Sequence, residues 1–121
     1  MKYLLMIYHD EGAFNSLTES DKQQMYGEYR ALRERLIARG QYIDGSQLQP
    51  TGTATSIRLR DGKELVTDGP FAETHEQLGG YFLINVDTAA EAVAIAKQIP
   101  SARTGTVEVR ALIERAAEAN A

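Results

Sequence analysis

Two apolar runs stand out along the chain, Tyr3-Leu4-Leu5-Met6-Ile7-Tyr8 and Tyr81-Phe82-Leu83-Ile84-Asn85-Val86. Each is too short for a buried helix and too continuous for a strand with one wet face. Each therefore predicts a strand with neighbours on both edges. Two other stretches repeat at helical spacing. Met25, Tyr29, Leu32 and Leu36 follow Thr18, which with Asp21 has the spacing of a capping box, and Gly40 ends the run. Val93, Ala96 and Ile99 follow Thr88 and Glu91, and Pro100 ends that helix. Alternation marks the remaining strands. From Thr53 to Arg60, Thr55, Ile57 and Leu59 oppose Ser56, Arg58 and Arg60; from Thr106 to Ile113, Val107, Val109, Ala111 and Ile113 oppose Glu108, Arg110 and Leu112. Asp61-Gly62 predicts a two-residue hairpin turn into a return strand, Lys63 to Thr67, since both residues tolerate positive φ. Tyr42-Ile43 is a short extended piece, and a polar loop runs from His9 to Leu17. Glu114 to Ala121 predicts a tail with the character of a frayed helix.

With the hairpin set aside, the order is strand, helix, strand, twice over, which predicts an α+β fold of ferredoxin-like type. In that topology the first and third main strands lie inside the sheet, and those are the two most apolar runs. Both helices then cover one face. The other face, apolar as well, needs cover, and a homodimer packed sheet against sheet provides it.

At 121 residues the chain has room for one core, placed at residues 1–113 with a tail at 114–121. The net charge is −4 and the 13 basic residues are scattered, so no cationic face exists to hold a nucleic-acid backbone. The densest basic run, Arg30, Arg33, Arg35 and Arg39, is interleaved with Glu28 and Glu34 and reads as a solvated helix face laced with pairs. Without cysteine there is no disulfide, thiolate nucleophile or thiolate metal site. The run after Lys2 is short for a signal peptide, and no stretch reaches the length of a membrane span, so a cytoplasmic protein is expected.

Candidate chemistry concentrates in Thr67 to Tyr81, TDGPFAETHEQLGGY. Asp68-Gly69-Pro70-Phe71 has the grammar of a tight corner, with Asp68 accepting bonds from following backbone N–H groups and Phe71 reaching into the core. Glu73, Gln77 and Tyr81 suit a ligand-facing rim. Gly79-Gly80 admits either a ligand or a neighbouring strand at close range. Tyr8 and Arg58 suit an interface cleft that takes an anionic or aromatic ligand. His9 and His75 each stand beside carboxylates, where a histidine suits proton transfer or metal binding, yet neither has a second ligand at metal-binding spacing. No phosphate-cradling glycine loop or nucleophile elbow is present, so neither metal nor cofactor is expected.

The opening MKYLLMIYHDE, the SQLQP segment, RDGK at the hairpin, the long VTDGPFAETHEQLGGYFLINV and the closing GTVEVR together resemble the YCII-related family. The resemblance is to its branch named the DGPF domain, and it covers nearly the whole chain. It implies a dimeric α/β barrel with a cleft at the subunit interface and a small organic ligand bound there near the DGPF loop. The wider family's histidine on the first helix corresponds here to Glu28, and its aspartate before a proline corresponds to Ile99, so that acid–base pair does not carry over. Position 75 is commonly lysine in similar sequences, which marks His75 as a surface variant. Two other roles follow from the resemblance. One is an isomerase-like or lyase-like enzyme with Asp68, Glu73 or His75 as proton acceptor; the other is an accessory protein associated with extracytoplasmic-function sigma factors.

Overall fold

The computed structural model describes residues 1–115. Along them run β1 (Lys2–His9), α1 (Glu11–Asn15), α2 (Glu19–Ala38), β2 (Tyr42–Gln47), β3 (Thr55–Arg60), β4 (Lys63–Asp68), β5 (Gln77–Asn85), α3 (Ala89–Ala96) and β6 (Thr106–Ala111). The main sheet has the order β2-β5-β1-β6, and every neighbouring pair is antiparallel. This is the ferredoxin-like order, with the two apolar runs as its inner strands. β3 and β4 form a separate two-stranded sheet inserted between β2 and β5 in the chain.

Alternate residues of the inner strands build the core. Tyr3, Leu5 and Ile7 of β1, with Phe82 and Ile84 of β5, pack against Leu32 and Leu36 of α2 and against Ala92, Ile95 and Ile99. The intervening residues Leu4, Met6 and Leu83 point to the opposite face and stay partly exposed. On β6, Val107 and Val109 pack against the core while Glu108 and Arg110 take the open face.

The helix ends follow the chemistry of their residues. Thr18 Oγ1 accepts from the Asp21 N–H at 3.0 Å, and Thr88 Oγ1 accepts from the Glu91 N–H at 3.2 Å. Each cap is worth about 1 kcal/mol. At the far end of α2, Gly40 takes a φ of 69°. That lets the Gln41 N–H reach the Leu36 carbonyl and the Gly40 N–H reach the Ile37 carbonyl, the paired bonds of a Schellman stop. The β3–β4 turn has positive φ at both Asp61 (52°) and Gly62 (74°), as the hairpin reading requires.

Several boundaries differ from the sequence expectation. The loop after β1 contains α1, because the Asp10 carboxylate accepts from the Ala13 N–H at 3.2 Å and caps it. β2 continues past Ile43 to Gln47, and β5 begins at Gln77 rather than Tyr81, because the two strands pair through Gly45 and Gly80, and the Gly79 carbonyl accepts from the Leu48 N–H just beyond, at residues with weak strand propensity. α3 stops at Ala96, and Ile99 follows it fully buried. β6 ends at Ala111, and the helical tail expected from Glu114 onward lies outside the described residues from 116 on. Phe71 does not reach the core: it is 79% exposed. Its corner is held instead by the Gly69 N–H on the Ala54 carbonyl (2.6 Å) and by the Ser56 hydroxyl donating to the Gly69 carbonyl (2.8 Å). Among the described residues no helix is long and apolar enough to cross a membrane.

Candidate functional site

The pairing of β1 with β5 slips between Ile7 and Tyr8: Ile7 stands opposite Gly80 and Tyr8 opposite Leu78, leaving Gly79 unmatched. A bulge of this kind re-aims the side chains beside it. Here the His9 imidazole lies against Gly79, where a Cβ would come within 2.6 Å of Nδ1. At Gly80 a Cβ would sit 2.8 Å from the Ser46 carbonyl oxygen of β2, and at Gly45 one would sit 2.8 Å from the Phe82 ring. Strand approach explains Gly80, and ring packing explains Gly79. Together the three glycines border one patch of the helix-facing side of the sheet, and the room their side chains would need is taken by the His9 ring, the β2 backbone and the Phe82 ring.

Above that patch α2 carries Tyr26, Tyr29, Arg30 and Arg33, and between helix and sheet lies a cavity of about 340 Å³. Phe14 of α1 closes one end, with its ring 5.5 Å from that of His9 and 6.4 Å from that of Tyr26. Deeper in, the Tyr29 hydroxyl shares a 2.8 Å hydrogen bond with the buried Ser101 hydroxyl. Burial raises the Tyr29 phenol above its ordinary range, partly offset by the bond to Ser101, so the ring stays neutral at physiological pH.

The arginines on this rim were read from sequence as part of a helix face laced with Arg–Glu pairs, and the structure corrects that. Glu28 is taken by Arg103 at 2.7 Å, and the other ion pair among the described residues joins Lys22 to Glu19. Arg35 donates to Gln98 at 3.2 Å. Arg30 and Arg33 make no ion pair among the described residues and border the cavity. A signal for them exists in the sequence: Tyr26, Arg30 and Arg33 recur at helical spacing alongside the core stripe Met25, Tyr29, Leu32 and Leu36.

The carboxylates next to His9 serve the local structure. Asp10 caps α1, and the Glu11 carboxylate accepts from the Thr51 backbone N–H at 3.0 Å and from the Thr51 hydroxyl. Among the described residues no three His, Asp or Glu side chains converge as a metal set.

The residues singled out from sequence are distributed over several places. Arg58 and Phe71 share a hollow on the hairpin with Ser56, Leu65, Thr67 and Pro70. Tyr8 lies on the open face of the sheet with its hydroxyl 3.3 Å from Glu108; burial first and then that carboxylate raise its pKa. The Tyr81 hydroxyl donates to Asp44 at 3.1 Å, and the residue borders the cavity. Asp68 ends β4 in the open, and Glu73 and His75 are exposed on the loop that leads to β5. Gln77 clamps that loop: its amide nitrogen donates to the Thr74 carbonyl, and its amide oxygen accepts from the Glu11 N–H at 3.0 Å. At the two positions of the wider family's acid–base pair, Glu28 is held by Arg103 and Ile99 is sealed in the core.

Comparison with known proteins places this architecture. The family model for the YCII-related domain matches residues 1–116. An uncharacterized protein of Rhizobium meliloti (strain 1021) is 32% identical over 114 residues, spanning 93% of this chain and 92% of that protein.

Proposed function

We propose, from the premise that this chain belongs to the YCII-related family, that it binds a small organic molecule in the cavity between α2 and the sheet. The observation that carries this reading is the glycine-floored space itself. Its volume of about 340 Å³ suits a compact ligand, its walls are largely aromatic, and a few polar groups converge on it. Rigid elements position it on three sides: α2 above, β2 and β5 below, and α1 at the end. The hollow on the hairpin, which gathers Arg58 and Phe71, is built largely from exposed side chains on two strands that pair with each other, so it is the weaker host.

A second copy of the chain covers the open face of the sheet in this reading. Among the described residues, Leu4, Met6 and Leu83 lie there in register without a helix above them. Sedimentation at micromolar concentration is expected to give a dimer, and a monomer would remove this part of the proposal.

The site is tested by screening small organic molecules for thermal stabilisation and mapping each hit by backbone amide shifts. Hits are expected to move Phe14, Tyr26, Gly79 and Gly80. Hits that move Ser56, Arg58 and Phe71 instead would transfer the function to the hairpin.

A further inference from the structure

The charge lining the cavity is the reverse of the charge on the chain. The molecule carries 17 acidic residues and a net charge of −4, yet among the described residues no Asp or Glu lines this space. Two arginines do. Arg30 and Arg33 lie three apart on α2, on the same side of the helix, and neither is paired with a carboxylate among the described residues. On a helix that also carries Glu28 and Glu34, arginines would ordinarily be matched by those neighbours, but Glu28 is spent on Arg103 from outside the helix.

Resting on the cavity reading above, we infer that the ligand is a flat organic carboxylate whose acid group is gripped by Arg30 and Arg33. Two features of the site select this class. Guanidinium forks match the planar, two-oxygen geometry of a carboxylate and bind it through paired charge-assisted hydrogen bonds. Much of the remaining wall is aromatic: Phe14, Tyr26 and Phe82 offer ring faces and edges beside the His9 ring, and Tyr29 keeps its proton. A bare inorganic anion would leave those rings without contact. Gly45, Gly79 and Gly80 border the cavity with their own room filled by the Phe82 ring, the His9 ring and the β2 backbone, so a flat ligand takes its ring contacts from the aromatic wall.

The experiment compares benzoate with its neutral isostere benzamide by calorimetric titration. The proteins are the wild-type chain, Arg30→Gln, Arg33→Gln, the double variant, and Arg35→Gln as a control that removes the same charge outside the cavity. Benzoate is expected to bind wild type about tenfold or more tighter than benzamide, the scale of one to two charge-assisted hydrogen bonds. The double variant is expected to lose that preference while its benzamide affinity stays within about twofold, and Arg35→Gln is expected to keep it. Equal binding of the two probes by wild type would overturn the carboxylate inference and leave the cavity reading intact, as would a preference that survives the double substitution. Failure of both probes to bind at millimolar concentration would overturn both.

Discussion

Replacing Gly79 by alanine tests the geometry from which the cavity is built. Its backbone does not occupy the left-handed region that excludes side chains, so the substitution carries no strain of its own. The obstacle is His9. The new methyl group would stand in the space of the imidazole, 2.6 Å from Nδ1, so the ring must swing away and give up its contact with Phe14. Crowding of this kind costs about 1–3 kcal/mol, and the lost aromatic pair accounts for about 0.5–1.5 kcal/mol of that. Against it stands a gain of about 0.4–1 kcal/mol from the stiffer unfolded chain. The net expectation is a loss of about 1–2 kcal/mol. In a His9→Ala background the space is vacant, and Gly79→Ala should then stabilise by about 0.5 kcal/mol or more. The two substitutions are therefore coupled by about 2 kcal/mol, read from urea unfolding midpoints of the four proteins at equal m. A coupling below about 0.5 kcal/mol would refute the reasoning, since a cost that arose from the β2 backbone would persist without the histidine.

Gly80→Ala is expected to cost more, about 2–4 kcal/mol, and to resist rescue by any side-chain truncation, because its Cβ would meet the Ser46 carbonyl oxygen at 2.8 Å and backbone cannot step aside; an urea midpoint within error of wild type would contradict it. Gly105→Ala faces the Tyr8 carbonyl oxygen in the same way and should behave alike in that assay. Thr18→Ala should lower stability by about 1 kcal/mol by freeing the Asp21 N–H at the start of α2, whereas Thr18→Asp should hold it, again by urea midpoint. Tyr29→Phe should cost about 1 kcal/mol at neutral pH, leaving the buried Ser101 hydroxyl without its partner. The same variant sets a pH test. The folded state raises the Tyr29 pKa, so it holds the proton that the unfolded chain begins to release near pH 10. This contribution is complete below that pH and is lost as pH climbs towards the folded value, and unfolding of Tyr29→Phe should show a shallower alkaline loss than wild type.

The fold was legible because its signals are local and repeated: two continuous apolar runs for the inner strands, Thr18 and Thr88 as caps, and Asp61-Gly62 as the turn. The cavity was not, because each of its parts has an ordinary local reading that only tertiary packing overrules. Arg30 and Arg33 resemble any solvated pair on a glutamate-rich helix until Glu28 is seen to spend its charge on Arg103, a partner 75 positions away. Gly79-Gly80 was readable as a place of close approach, but not as two different approaches, an imidazole at one residue and a strand at the next. That difference comes from the bulge opposite Ile7 and Tyr8, a one-residue slip that no periodicity announces. Conversely, the conspicuous Asp68-Gly69-Pro70-Phe71 owes its form to a hairpin corner. Gly69 takes a φ of 100°, and its bonds to Ala54 and Ser56 hold the turn while Phe71 faces solvent. A local motif fixes a local shape, whereas the proposed site lies where α2, β2, β5 and the end of β1 meet. The residues with the strongest claim on a ligand are therefore those whose charge or space the rest of the fold leaves unspent.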